Sequence, residues 1–164
     1  DYFICHSWHD PGEHKYRCIR EVAESFRKAE GRYPTFWFDL VCIDEDQCAD
    51  PLRELPINVM SCRSFLALLG PTFPGRLWCV WELFTLFAFT RSEQALERIC
   101  LKQLDEELCD QLLLKLSHFD VLLAECFNPN QQARLLRVIR ALGCDLFNER
   151  IRLLARQIRQ HGTP

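Results

Sequence analysis

Trp78-Cys79-Val80-Trp81-Glu82 places an acid among tryptophans, four residues after the first indole. Leu77, Leu83, Phe84, Leu86, Phe87 and Phe89 fill the rest of the stretch from Arg76 to Thr90, in which Glu82 is the only acid. Residues four apart on a helix share a face, so the Trp78 ring and the Glu82 carboxyl border the same space. Burying a carboxylate is costly unless something pairs with it or uses it. An apolar surround also raises the acid's pKa, which marks Glu82 as a candidate catalytic carboxylate. The structural alternative is an ion pair with Arg76 or Arg63 near the helix N-terminus, where the dipole favours an acid. Trp81 faces elsewhere and reads as packing.

The other polar oddities stand in loops. His6-Ser7-Trp8-His9-Asp10-Pro11-Gly12 follows a short apolar run, and Asp39 opens an acidic, cysteine-bearing loop, Val41 to Asp50, that contains Asp44. A tryptophan beside glycine and proline is hard to explain as core, so Trp8 reads as a contact to a ligand or partner. His6 and His9 read equally as hydrogen-bonded loop residues or as general bases. Cys79 has no basic neighbour in sequence to activate its thiol and reads as core.

Periodicity supplies the elements that must position these groups. Tyr2 to Cys5 reads as a strand, and Tyr16, Ile19, Val22, Ala23 and Phe26 as one face of a helix ending at Gly31. Thr35 to Phe38 is a second strand, and Leu52 to Met60 a short helix limited by Pro56. Ser64 to Leu69 is the third and most apolar strand, followed by the Trp/Glu helix. Arg98 to Leu101 and Phe119 to Leu123 are expected as strands four and five, separated by a helix from Asp105 to Leu116. Pro129 opens a helix through Leu142 with Gly143 as its C-cap, and Asn148 is expected to cap a last helix to Gln160. Strands alternating with helices predict an α/β domain with a mainly parallel sheet covered on both faces. Right-handed crossovers bring every strand's C-terminal end to one edge, where ligands bind. The loops His6 to Gly12, Asp39 to Asp50 and Gly70 to Leu77 converge there.

Composition narrows the function classes. At 164 residues and 48% hydrophobic content, one domain with a sizeable core is expected. A net charge of −3 and a pI near 6.0 supply no strong field for nucleic acid or an anionic membrane. The late arginines, Arg134 to Arg159, fall at helical spacing among Leu and Ile and read as a solvated face. No apolar run approaches the ~20 residues that span a bilayer. The chain begins at Asp1 on what reads as a core strand, as expected of a domain cut from a longer protein. Its 10 cysteines are scattered without a CxxC, which fits buried thiols in a reducing, cytoplasmic setting better than disulfides or zinc. A metal site is not expected, including one drawn from His6, His9, Cys42, Cys48 and Cys62. With no G-x-G-x-x-G or P-loop, a bound dinucleotide would be a substrate rather than a redox cofactor.

Four stretches together carry a family resemblance. Asp1-Tyr2-Phe3-Ile4-Cys5-His6-Ser7, Trp37-Phe38-Asp39, Leu66-Ala67-Leu68-Leu69-Gly70-Pro71 and Leu77-Trp78-Cys79-Val80-Trp81-Glu82-Leu83 resemble the TIR domain of Toll/interleukin receptors and plant resistance proteins. The family pattern is D-V-F-I-S plus an aromatic residue, a later F-x-D, an apolar third strand and W-C-x-x-E-L. The match runs over residues 1 to about 90. The resemblance implies a flavodoxin-like five-stranded sheet with helices on both faces, expected over a core to about residue 145, and 146–164 reads as a C-terminal helical extension outside the family pattern. It further implies a role in innate-immune signalling, self-association through TIR–TIR contacts, and NAD glycohydrolase or cyclase chemistry releasing nicotinamide and ADP-ribose or a cyclic isomer. Glu82 is then the catalytic residue, Trp78 and Trp8 are aromatic walls, and His6, Ser7, His9, Asp39 and Asp44 are polar contacts to the substrate. Such chemistry needs a carboxylate: nicotinamide leaves neutral, and the positive charge stranded on the ribose is stabilised by an anion near its hydroxyls. The chain departs from the pattern at Cys5, His6 and Ser7, where the family has serine, an aromatic residue and, in several active members, arginine. Two other readings stand beside this one. The first is a non-catalytic TIR interaction module docking through Val41 to Asp50. The second is a nucleoside deoxyribosyltransferase-like enzyme, which rests on fold analogy.

Overall fold

A computed structural model of the protein describes residues 1–42, 51–105 and 109–161. Four strands, β1 (Tyr2–His6), β2 (Phe36–Trp37), β3 (Ser64–Leu69) and β4 (Ile99–Gln103), form one parallel sheet in the order β2-β1-β3-β4. The helices are α1 (Gly12–Glu30), α2 (Asp39–Cys42), α3 (Pro51–Ser61), α4 (Leu77–Phe89), α5 (Ser92–Arg98), α6 (Cys109–Ser117), α7 (Pro129–Leu142) and α8 (Cys144–His161). None of the described helices is long and apolar enough to cross a membrane.

Strand alternation divides the core into two faces. Ile4, Leu66 and Leu68 meet Cys18 and Val22 of α1, whereas Phe3, Cys5, Phe65, Ala67 and Leu69 point the other way into a larger cluster. That cluster takes Leu55 and Val59 from α3, Leu77, Val80, Leu83 and Leu86 from α4, and Phe147, Ile151, Leu154 and Ile158 from α8. The last helix therefore packs into the main core. In register, His6 lies opposite Leu68, and Leu69 opposite Gln103. Strand order reverses between β1 and β3, which opens the crevice outside their C-terminal ends.

The expected fifth strand is absent among the described residues. Val121–Leu123 is a 3-10 turn instead. The Asp120 carboxylate accepts from the Leu122 N–H at 3.0 Å, and the Leu123 N–H donates to the Asp120 carbonyl at 3.0 Å, local bonds that compete with a sheet ladder. The final helix begins at Cys144, and Asn148 is no cap. Its Oδ1 accepts from the Val121 N–H at 2.9 Å, and its Nδ2 donates to Asp120 at 3.3 Å. Arg98, expected to open the fourth strand, instead ends α5. Its guanidinium closes the neighbouring chain ends on the carbonyls of Val59 (2.9 Å) and Cys62 (2.7 Å), and the strand starts one residue later.

Candidate active site

Alternation along β1 fixes which way each residue of the first loop points. Cys5 faces α4, and His6 faces α1. On the α4 side, Glu82 is 7% exposed on the sixth residue of its helix. Leu77 opens that helix by donating its N–H to the Glu125 carbonyl at 3.0 Å, so the backbone at Glu125 serves as the cap that Arg76 does not provide. Burial pushes the Glu82 carboxyl well above its ordinary pKa. A hydrogen bond from the Cys5 thiol acts against this, and the charge of Asp39 adds to it. Of the two arginines expected near Glu82, Arg63 pairs instead with Glu30 at 3.6 Å, and the groups acting on Glu82 are Cys5 and Asp39.

Thiols line the inner wall. The Cys5 Sγ lies 3.5 Å from the Cys79 carbonyl, and the Cys79 Sγ donates to the His6 carbonyl at 3.2 Å. Burial, then Cys79 and Glu82, push the Cys5 thiol well up, and burial lifts Cys126 to about 11. Cys5 and Cys126 are therefore neutral donors and packing groups at ordinary pH, not nucleophiles. Cys5, Cys18, Cys42, Cys62, Cys79, Cys100, Cys126 and Cys144 are free. Among the described residues no group of three or more side chains is placed to hold a metal ion.

On the α1 side, Asp39 gathers the first loop. Its Oδ1 lies 3.0 Å from His6 Nε2, its Oδ2 accepts from the Trp8 indole N–H at 2.7 Å, and its own helix start supplies the Leu40 N–H at 2.8 Å. Burial raises the Asp39 pKa, but His6, Trp8 and Leu40 together outweigh it and hold the carboxyl below its ordinary value. Lys15 reaches the same cluster, donating to the Ser7 carbonyl at 2.9 Å and lying 3.4 Å from His6 Nδ1. With an ammonium facing Nδ1, the ring proton belongs on Nε2, where it is donated to Asp39. Burial lowers the Lys15 pKa, and Asp10 and Asp39 act to raise it.

The remaining loop is closed by hydroxyls. Ser7 is buried, and its Oγ lies 2.7 Å from the Thr72 hydroxyl, which also reaches Asp10 Oδ1 at 2.8 Å. The Thr72 N–H donates to the same oxygen at 3.1 Å. Asp10 Oδ2 is buried without a hydrogen-bond partner among the described residues. Gly70 makes this approach possible, since a Cβ there would run into the Asp10 carboxyl and the Leu104 side chain.

The structure thus brings His6, Trp8 and Asp39 into direct contact at the edge where Glu82 is buried. Ser7 is turned into the loop, and His9 stands on the rim. Trp78 is half-buried against the larger core, and Trp81 stacks on Phe84 at 5.5 Å and Phe147 at 6.0 Å. Asp44 lies outside the described residues. Three participants went unread in the sequence. Lys15 could have been noticed as a cation in the first turn of a helix, where the dipole disfavours it. Asp10 is one of several polar residues in the run His6 to Gly12, and nothing local singles it out. Phe127, 74% exposed before Asn128-Pro129, carries the signal that marked Trp8: a large aromatic in a turn-forming stretch.

Comparison with protein-family models, curated proteins and solved structures returned no match.

Proposed function

We propose that this chain is a TIR-type NAD glycohydrolase or cyclase with Glu82 as its essential carboxylate. The observation that carries the reading is the buried Glu82 carboxyl, without an ion pair among the described residues, at the C-terminal edge of a parallel sheet, on the helix face it shares with Trp78 and against the thiol of β1. The strand order β2-β1-β3-β4 agrees with the first four strands of a flavodoxin-type sheet, the architecture expected of that family.

The chemistry follows from the environment. A raised pKa favours the neutral acid before substrate binds, and a cationic nicotinamide ring entering the site favours the ionised form. The C1′–N bond breaks with its electron pair going to nicotinamide, and the Glu82 carboxylate stabilises the oxocarbenium-like ribose through the ribose hydroxyls. Water then adds at C1′ and releases a proton, giving ADP-ribose. Attack by a nitrogen of the adenine gives the cyclic isomer instead. Asp39 positions His6 and Trp8 along the edge. Exposed Leu40 and Val41, next in sequence to Asp39, support self-association in which a second copy of the chain covers this edge.

The experiment is a panel of NAD, NADP and free nucleosides incubated with concentrated protein, native and Glu82→Ala, following release of the base. Nicotinamide release from a dinucleotide by the native chain alone is the expected result. Cleavage of free nucleosides in preference to NAD would favour the deoxyribosyltransferase-like reading. No cleavage of any substrate at high concentration would leave the interaction module.

A further inference from the structure

Two large rings stand open at the mouth of the crevice. Trp8 is 49% exposed, and Phe127 is more so. Their centroids are 6.3 Å apart with the planes at 40°, and the His9 ring lies 6.1 Å from Phe127. A buried aromatic side chain removes about 150–250 Å² from water, and this chain forgoes much of that at both positions. Neither ring hangs on a loose loop. The Trp8 indole is tied to Asp39 at 2.7 Å. Phe127 sits between two fixed points. On one side Glu125 donates its N–H to the Gly75 carbonyl at 2.9 Å, and Cys126 donates its N–H to Gln132 Oε1 at 3.0 Å. On the other the Asn128 side chain caps α7 by accepting the Asn130 N–H at 2.9 Å.

We propose that Trp8 and Phe127 form a clamp for a nucleobase and take the adenine of the dinucleotide whose glycosidic bond lies at Glu82; this rests on the reading of Glu82 given above. Two stacking contacts of about 3.5 Å each need about 7 Å between the rings. The observed pair, with centroids 6.3 Å apart and planes at 40°, has to part and lose its tilt to admit a base. Stacking suits any base, because every base presents a π-face. The reaction itself decides for adenine over nicotinamide. A pyridinium held on the electron-rich indole gains cation–π attraction, which vanishes as nicotinamide leaves neutral, so such a clamp would favour the ground state over the transition state. Adenine keeps its charge throughout, and its stacking binds substrate and transition state alike.

The test uses the full chain carrying Glu82→Gln, so that no ligand is consumed, titrated with adenosine monophosphate and separately with nicotinamide mononucleotide while ligand ring protons are followed by NMR. Stacking between two rings moves the purine H2 and H8 resonances upfield. Phe127→Ala, which removes a ring lying mostly in solvent, weakens adenosine monophosphate binding by about tenfold, and Phe127→Tyr retains it. Unshifted purine protons, or equal affinity in Phe127→Ala, overturn the clamp. Upfield shifts confined to nicotinamide mononucleotide overturn its assignment to adenine. Since this measurement needs no turnover, purine stacking in a native chain that never cleaves NAD removes the hydrolase and leaves the clamp. Cleavage with a KM indifferent to Phe127→Ala removes the clamp and leaves the hydrolase.

Discussion

Glu82 and Asp39 are two carboxyls at one edge whose environments push their pKa values apart, one up and one down. That separation has opposite consequences for stability. A carboxyl raised in the folded state favours the protonated fold, and its contribution is lost as pH rises through the folded value. Relative to Glu82→Gln, the native chain should therefore lose stability as pH rises from below the ordinary carboxylate range through the raised folded value, with the gap between the two melting temperatures widening as pH increases. A constant gap would mean that Glu82 is not held in a desolvated site. Asp39, depressed in the fold, contributes stability that disappears as pH falls through its folded value. Its charge also opposes ionisation of Glu82, so Asp39→Asn is expected to move the acid limb of the nicotinamide-release profile to lower pH. A limb that stays in place would detach Asp39 from Glu82. The sequence exposed Glu82 and Asp39 because an acid in an apolar helix and an acid at a strand end are local anomalies. It could not expose the Lys15–His6–Asp39–Trp8 chain, whose members come from three elements and meet only once the sheet is assembled.

Elements with strong periodicity were legible, and those decided by side-chain bonds were not. The amphipathic face of α1 and the apolar β3 announce themselves, and Pro129 and Gly143 bound α7 from sequence alone. Phe119 to Leu123 reads as strand because four of its five residues are apolar, yet the Asp120 side chain turns the backbone and Asn148 holds the turn from α8. That bond takes a buried N–H as its donor, so Asn148→Ala should cost about 1–3 kcal/mol. Phe147 beside it is 1% exposed among Trp81, Phe84 and Phe119. Phe147→Ala is expected to cost about 3–5 kcal/mol by the cavity it leaves. Denaturant unfolding measures both. A Phe147→Ala variant as stable as the native chain would show that α8 adds little to the core.

At the scale of the molecule, one sheet edge holds the buried acid, the anchored indole and a rim of exposed apolar side chains on α2, with Val41 80% exposed. If a second copy covers that rim to complete the site, turnover per molecule falls on dilution. Val41→Asp lowers it at fixed concentration while leaving the melting temperature of the monomer in place. Turnover independent of concentration and of Val41→Asp would assign catalysis to the single chain. The central claim is narrower than assembly and is tested by one comparison: nicotinamide released from NAD by the native chain and by Glu82→Gln, both folded and at equal high concentration. Loss of an electrostatic contact made at the transition state predicts a fall of about 100-fold or more in the variant. Equal release by the two proteins would contradict the assignment of Glu82 as the carboxylate that cleaves the bond.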